Sequence, residues 1–310
     1  MRLECAFLAR MNIKKFRLAS ASPLGLLPLC GMMVTLLHKE LWRTVMEQQG
    51  RQRWLRLNQQ AWDQRTDIHI DSGFYDVAGF VAGQCRLNPI ELELMGAVRG
   101  KRLLHLQCHF GLDTLSWSRR GAWVTGVDLS PQAIAKARQL ARDTRQAAHF
   151  VCADVIDFGD EVEPEYDWVF VSYGALCWLD DINRWAQTVK RALKPNGKLC
   201  LVEFHPAIDM LMDYGYFHRP NPDVAVEATY TENAGTFKQR VAVWNHSLGE
   251  VIGALLQQGL VVEHFAEHRH CPYRCFDQLT ATDDGQYQWL QGEHPLPLLY
   301  SLVARNSTGR

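Results

Sequence analysis

Between Lys101 and Glu203 the chain repeats one pattern, a short apolar run followed by a stretch with helical spacing, and a mostly parallel sheet is the architecture that accommodates it. Residues 101–106, 123–127, 149–153, 166–171 and 197–203 read as strands. Residues 112–120, 131–145 and 182–193 read as helices, the second with Pro131 in its first turn. The strand runs are continuously apolar, as required where both faces of a sheet are covered by helices. Residues 260–266 and 298–304 supply a final strand pair. The predicted fold is α/β, a Rossmann-like, seven-stranded, mostly parallel sheet with helices on both faces.

In such a sheet ligands bind beyond the carboxyl ends of the strands, so the residues that follow each strand carry the chemistry. The first strand leads into Gln107-Cys-His-Phe-Gly111, a tight turn in which only Gly111 offers a backbone free of Cβ. The second ends in Asp128-Leu129-Ser130, an acid roughly 20 residues beyond the turn, the spacing of a ribose partner. A simple cap for the helix at Pro131 is the lesser reading of Asp128. After the third strand, Asp154 offers an acceptor to an adenine amino group and Val155 a surface for the ring. After the fourth comes Ser172-Tyr-Gly-Ala-Leu-Cys-Trp-Leu-Asp180, and Leu193-Lys-Pro-Asn-Gly197 precedes the fifth.

In order and spacing, Gly111, Asp128, Asp154, Ser172-Tyr173 and Leu193–Gly197 resemble the class I S-adenosylmethionine-dependent methyltransferases, from about Asn58 to the end of the chain. The phrases around Leu104–Leu115 and His246-Ser-Leu-Gly-Glu250 are similar to a bacterial subgroup of unknown substrate. The resemblance implies S-adenosylmethionine as cofactor, with the turn from Gln107 to Gly111 on its aminocarboxypropyl group. Most members have an acid at the position of His105 and glycines at Gln107 and His109. A non-glycine serves there if its backbone dihedrals are ordinary, and Gln107 can offer a side-chain amide instead. His105 is either a ligand contact or a buried neutral histidine satisfied by a neighbour.

Length and charge bound the partners. With 310 residues, 47% hydrophobic and 22% charged, the chain buries a substantial core. A net charge of −1 gives no global field for polyanions, so the expected partner is a small-molecule methyl acceptor rather than nucleic acid. The loop from Ser172 also lacks the Asn/Asp-Pro-Pro-aromatic clamp that stacks a flipped base. Nine scattered cysteines, several inside strand-like runs, suit a reducing cytoplasm.

Residues 1–45 are a basic and apolar extension with the make-up of a targeting segment, but the run from Pro23 to Leu37 is short for a membrane span. Residues 46–100 form an expected N-terminal helical lid carrying Trp62 and Tyr75, with a helix over 88–98 closed by Gly100. Residues 101–205 are the cofactor-binding core. Residues 206–246 are an irregular, aromatic-rich insertion on the substrate side, and 247–310 complete the core, opening on a helix over 247–258.

Methyl transfer from a sulfonium is an in-line displacement, so alignment and exclusion of water dominate and no metal is obligatory. Where the acceptor must lose a proton, His205, His246 and Tyr173 are the candidate catalytic residues; each histidine has a structural reading beside the catalytic one. His264, His268, His270, Cys271 and Cys275 offer zinc ligands, but their spacing fits no standard finger. Two alternatives remain: a binding module without catalysis, and an NAD-dependent oxidoreductase, which should show Gly-x-Gly-x-x-Gly at the first turn.

Overall fold

The computed structural model describes residues 49–307; the extension assigned to residues 1–45 lies outside the described residues. Residues 51–69 form α1, followed by α2 (Val77–Val81) and α3 (Pro89–Met95). The core then alternates β1 (Arg102–Leu106), α4 (Leu112–Arg119), β2 (Trp123–Asp128), α5 (Pro131–Asp143), β3 (Ala148–Cys152), α6 (Val155–Glu161), β4 (Tyr166–Ser172), α7 (Ile182–Ala192) and β5 (Leu193–Phe204). After α8 (Ala207–Leu211) and a hairpin of β6 (Asp223–Glu227) and β7 (Gln239–Val243), the chain returns through α9 (Leu248–Gln257), β8 (Leu260–His268) and β9 (Leu299–Asn306).

The seven-stranded sheet has the order β3-β2-β1-β4-β5-β9-β8. Strands β1 to β5 pair in parallel, Leu104 beside Val169 on β4 and Thr125 on β2, while β9 runs antiparallel between β5 and β8. The winding direction reverses between β1 and β4, which places the ligand crevice beyond their carboxyl ends.

Alternation along the strands divides the core into two layers. Leu104, Val169, Val171, Leu199 and Leu201 meet α6, α7 and α9 through Ile156, Trp185, Val189, Val251 and Leu255. Leu103, Phe170, Cys200 and Val202 face Trp117 and Met95 of α4 and α3. Helix α7 shows why it forms: Asp181 accepts from the amides of Asn183 and Arg184 at 3.0 Å, and Ile182, Trp185, Ala186, Val189 and Ala192 make a buried stripe at helical spacing. Ser130 caps α5 through the Ala133 amide, with Pro131 in the first turn.

Several boundaries differ from those expected. Helix α3 stops at Met95 because Gly96, at φ +56°, ends it, well before Gly100. Strand β5 begins at Leu193, with the Pro195–Gly197 turn held as an irregularity: Tyr166 pairs with Leu193 but Trp168 with Lys198, and Asn196 takes φ +64°. The insertion is not irregular throughout, since its Val-Ala-Val segments build the β6–β7 hairpin. That hairpin is joined to α1 by buried Asn58, which donates to the Ala242 carbonyl at 2.8 Å and accepts the Ala242 amide at 2.9 Å.

Candidate active site

The turn after β1 determines the site's geometry. Gly111 caps α4 at φ +80°, and a Cβ there would lie 2.8 Å from the Phe150 ring; at Gly126 on β2 it would meet Phe150 and the Cys108 sulfur at the same distance. Close strand–helix packing therefore requires both glycines. Gln107 and His109 lack that freedom yet sit at φ +56° and +50°. This corrects the expectation of ordinary dihedrals: the glycine-type backbone path is retained without the glycines, at about 1 kcal/mol of strain per residue. Their side chains hold the strained turn in place, Gln107 Nε2 donating to the Ala175 carbonyl at 2.5 Å and His109 Nε2 lying 2.9 Å from His69 Nδ1.

Asp128, at the end of β2, reaches across to the same turn. Its Oδ2 accepts the His109 amide at 2.8 Å and its Oδ1 the Ser130 amide at 2.9 Å, so each oxygen keeps a lone pair for a further donor. Burial raises its carboxyl to about 6, against the lowering effect of those amides. Helix α1 covers this corner: Asp63 accepts from the Ser130 hydroxyl at 2.6 Å and Gln59 donates to the Leu129 carbonyl at 3.0 Å.

At the end of β3, Asp154 caps α6 through the Ile156 amide, while its Oδ2 pairs with Arg51 at 2.8 Å. Arg51 also reaches Asp157 and Asp180, each at 3.3 Å, and so ties α1 to the loops after β3 and β4. Val155 is buried in the core layer with Ile156 rather than presented to the crevice.

Between β1 and β4 lies a polar relay. His105 Nδ1 is 2.8 Å from Thr114 Oγ1 and its Nε2 3.4 Å from Ser172 Oγ, which donates to Asp113 Oδ2 at 3.4 Å. Burial lowers His105 to about 3, so it is neutral, and both nitrogens have protein partners; it supports Ser172 instead of facing a ligand. Asp113, which the sequence reading passed over, is raised by burial to about 7.

The three expected catalytic groups are engaged elsewhere. His205 Nδ1 accepts the Ala207 amide at 3.1 Å and its Nε2 donates to Glu267 at 2.8 Å, so its lone pair and its proton are both engaged. The Tyr173 hydroxyl donates to buried Glu91 at 2.8 Å, and burial raises its ionisation well above the usual phenol range. His246 Nε2 donates to the Leu179 carbonyl at 2.9 Å, leaving Nδ1 toward Glu250. The hydroxyl of Tyr173 and both ring nitrogens of His205 are thus engaged by protein partners, whereas His246 keeps Nδ1 without a hydrogen-bond donor.

The expected lid residues Trp62 and Tyr75 meet the insertion in an aromatic wall that stands over the turn. Trp62 of α1 packs against His69, His109 and Trp178, and Tyr75 stacks on His69 with its hydroxyl on Tyr230 of the insertion. His69 also bonds Thr229. Burial lowers His69 to about 3 and His109 well below the usual imidazole range, so the pair is neutral. Beneath it, buried Arg65 lies over the Trp62 and Trp178 rings, 5.3 and 5.2 Å from their centroids. The order β3-β2-β1-β4-β5-β9-β8, with its single antiparallel strand and an acid at the end of β2, converges with one further finding: residues 104–199 match a family model described as a methyltransferase domain.

The chain carries a class I methyltransferase domain. An S-adenosylmethionine-dependent methyltransferase from Methanosarcina mazei has the same fold, with a TM-score of 0.52 at 19% identity over 72% of this chain and 99% of that one. A protein from Listeria monocytogenes described in the same terms superposes equally, at 0.52 and 19% identity over 71% of this chain and 96% of the other. In sequence, the methyltransferase domain is 28% identical over 134 residues to a ubiquinone biosynthesis O-methyltransferase from Idiomarina loihiensis, covering 42% of this chain and 55% of that protein. It is 33% identical over 129 residues to a 2-phytyl-1,4-naphthoquinone methyltransferase from Trichormus variabilis, covering 40% and 56%. The chain spans about half the length of these two relatives.

The histidine-cysteine cluster considered for zinc is dispersed: His264 and His268 share Ser301, at 3.2 and 2.8 Å, while Cys271 and Cys275 lie with their sulfurs 3.6 Å apart. Among the described residues no helix is long and apolar enough to cross a membrane.

Proposed function

We propose that this protein transfers the methyl group of S-adenosylmethionine to a small, flat acceptor. One observation carries the reading: Asp128, at the end of β2, accepts the His109 amide at 2.8 Å and so couples a ribose-type carboxylate to the left-handed turn after β1. That pairing supports a reading in which a sugar diol and an aminocarboxypropyl chain lie side by side.

In this reading Asp128 accepts the ribose hydroxyls, Leu129 borders the adenine, and Gln107 to Gly111 follow the methionine chain. Asp154 takes the adenine amino group only by sharing its Arg51 partner. The α-ammonium needs an anion, and His105 cannot supply one. Asp113, on α4 and bonded to Ser172, takes that role in our assignment. Trp62 and Tyr75 close the site from α1 and the segment after it, excluding water from the sulfonium.

The aromatic wall of Trp62, Trp178, Tyr75 and Tyr230 suits a planar acceptor, in keeping with the quinone relatives. A neutral His69–His109 pair, both members depressed by burial, suits orienting a hydroxyl better than deprotonating it. The partner is thus a small molecule, with no nucleic acid in the reaction, and the expected location is the cytoplasm. Calorimetry with S-adenosylhomocysteine should give binding that Asp128→Ala weakens about 100-fold; no binding by the unmodified protein at millimolar ligand defeats the proposal. A screen of phenolic and quinol acceptors with labelled cofactor then separates a transferase from a module that only binds.

A further inference from the structure

At the mouth of α9, three groups from separate parts of the chain converge. His218 comes from the insertion, His246 from the segment entering α9, and Glu250 from its first turn. One nitrogen of each histidine and one Glu250 oxygen all lie within 4.8 Å of one another, a grouping that is the sole one of its kind among the described residues. The rings of His218 and His246 are 5.2 Å apart between centroids and inclined by 14°.

Hydrogen bonding sets the polarity of this cluster. The Leu179 carbonyl can only accept, so His246 Nε2 carries the proton at their 2.9 Å contact, and neutral His246 must present its Nδ1 lone pair. That atom is buried without a hydrogen-bond partner, on a side chain only 2% exposed. It lies 3.4 Å from Glu250 Oε2, itself an acceptor. His218 Nδ1 is likewise buried and unpartnered, 4.0 Å from Glu250 Oε1. His246 Nδ1 and the Glu250 carboxylate, acceptors facing one another with no donor between them, are stabilised by a cation.

We propose that His218 Nδ1, His246 Nδ1 and the Glu250 carboxylate bind a divalent transition ion of the zinc type. Two imidazoles and a carboxylate are a common donor set for zinc, and tetrahedral bonds of about 2 Å space neighbouring ligand atoms by ~3.4 Å. The contacts of 3.4 and 4.0 Å are close to that spacing, so small side-chain rotations complete the site. The bond from His246 Nε2 to a backbone carbonyl is the support that metal-bound histidines ordinarily have, since it fixes the tautomer and aims the other nitrogen. Asp209, held by Asn245 at 3.2 Å and near enough to act on His246, adds a second negative charge. The ion would pin the loop after β4, the insertion and α9 together, with a fourth position left for water.

The test uses the full chain stripped with a chelator and titrated with Co²⁺, followed by its visible ligand-field bands and by Zn²⁺ competition. One equivalent of Co²⁺, displaced by Zn²⁺, is expected. His218→Ala and Glu250→Gln should each weaken it by about 100-fold or more, while Cys271→Ser leaves it unchanged. His218 is 27% exposed, so its truncation should leave the metal-free melting temperature near that of the parent. Should the variants fold poorly, the parent alone decides: Zn²⁺ must raise its melting temperature by mass action. Absence of binding overturns the proposal, as do equal affinities in parent and variants. A thiolate charge-transfer band that disappears in Cys271→Ser also overturns it, by placing the ion at the cysteines.

Discussion

Two carboxylates stand near the carboxyl ends of β2 and β5, with two strands between them in the same sheet, and differ in what they hold. Asp128 closes β2, is half-buried, and accepts two backbone amides. Glu203 closes β5, is 5% exposed, and accepts four, from Gly174, Ala175, Leu176 and Phe204. Burial raises both above the usual carboxylate range. The difference is remaining capacity: Glu203 is committed to folding the loop after β4 around itself, whereas Asp128 has lone pairs left and a path to solvent. An acid at a strand end is thus either a brace or an anchor, and counting the amides it accepts separates the two.

The largest expected effect comes from disturbing the brace. Glu203→Gln keeps the shape but turns an NH₂ toward amide donors, leaving buried N–H groups unpaired. We expect a loss of about 3 kcal/mol, a fall in melting temperature of ~6–12 °C by thermal denaturation. A fall under ~2 °C would mean that Glu203 does not organise the loop. Asp128→Ala, by contrast, should cost the free protein only about 1 kcal/mol while weakening S-adenosylhomocysteine by about 100-fold (~2.7 kcal/mol) in calorimetry. If stability and affinity instead change together in both variants, the division between brace and anchor fails.

Asp113 sharpens the comparison, because it belongs to neither class. Burial raises it to about 7, so the folded state keeps a proton that an unfolded aspartate releases near 4. The stability it contributes is complete below about pH 4 and is lost as the pH rises through about 7. Asp113→Asn should therefore match the parent near pH 4 but melt a few degrees higher (~2–4 °C) at pH 8 without ligand. The cofactor's ammonium needs the ionised form, so parent affinity should drop about tenfold per unit below pH 7, and the variant's should be weaker and flat. A flat parent profile removes Asp113 from the ammonium.

Much of this was legible in the sequence and some was not, for physical reasons. Strands announce themselves through local apolar runs, which is why β1 to β5 and their strand-end acids, Asp128 and Asp154, were readable in order. Helix α6 was missed because Val-Ile-Asp-Phe-Gly-Asp-Glu is short and holds Gly159 at its centre, so it forms by packing rather than propensity. Trp62, Tyr75 and the aromatic insertion were legible singly, but their union into one wall was not, because His69 and His109, or Tyr75 and Tyr230, meet only through tertiary structure. Glu203 did carry a signal: an acid ending the apolar run Leu-Cys-Leu-Val is costly to bury without partners. For His205, strand-end position says nothing of where its nitrogens point, which is toward the Ala207 amide and Glu267.

The smallest effect concerns the turn itself, where sequence and backbone disagree most. Gln107 holds φ +56°, a conformation that favours glycine, and restoring glycine there would relieve about 1 kcal/mol of strain. The same change removes the 2.5 Å bond from Gln107 to the Ala175 carbonyl, worth a similar amount, and adds freedom to the unfolded chain. Gln107→Gly should therefore move the melting temperature by no more than ~2–3 °C in either direction. Its consequence should show in ligand binding instead, because the side chain joins the turn after β1 to the loop after β4, and both border the proposed methionine site. An affinity loss of about three- to tenfold with stability unchanged is the expected outcome. A stability loss of several kcal/mol would show that the amide, rather than the backbone path, is what this turn preserves in place of its glycine.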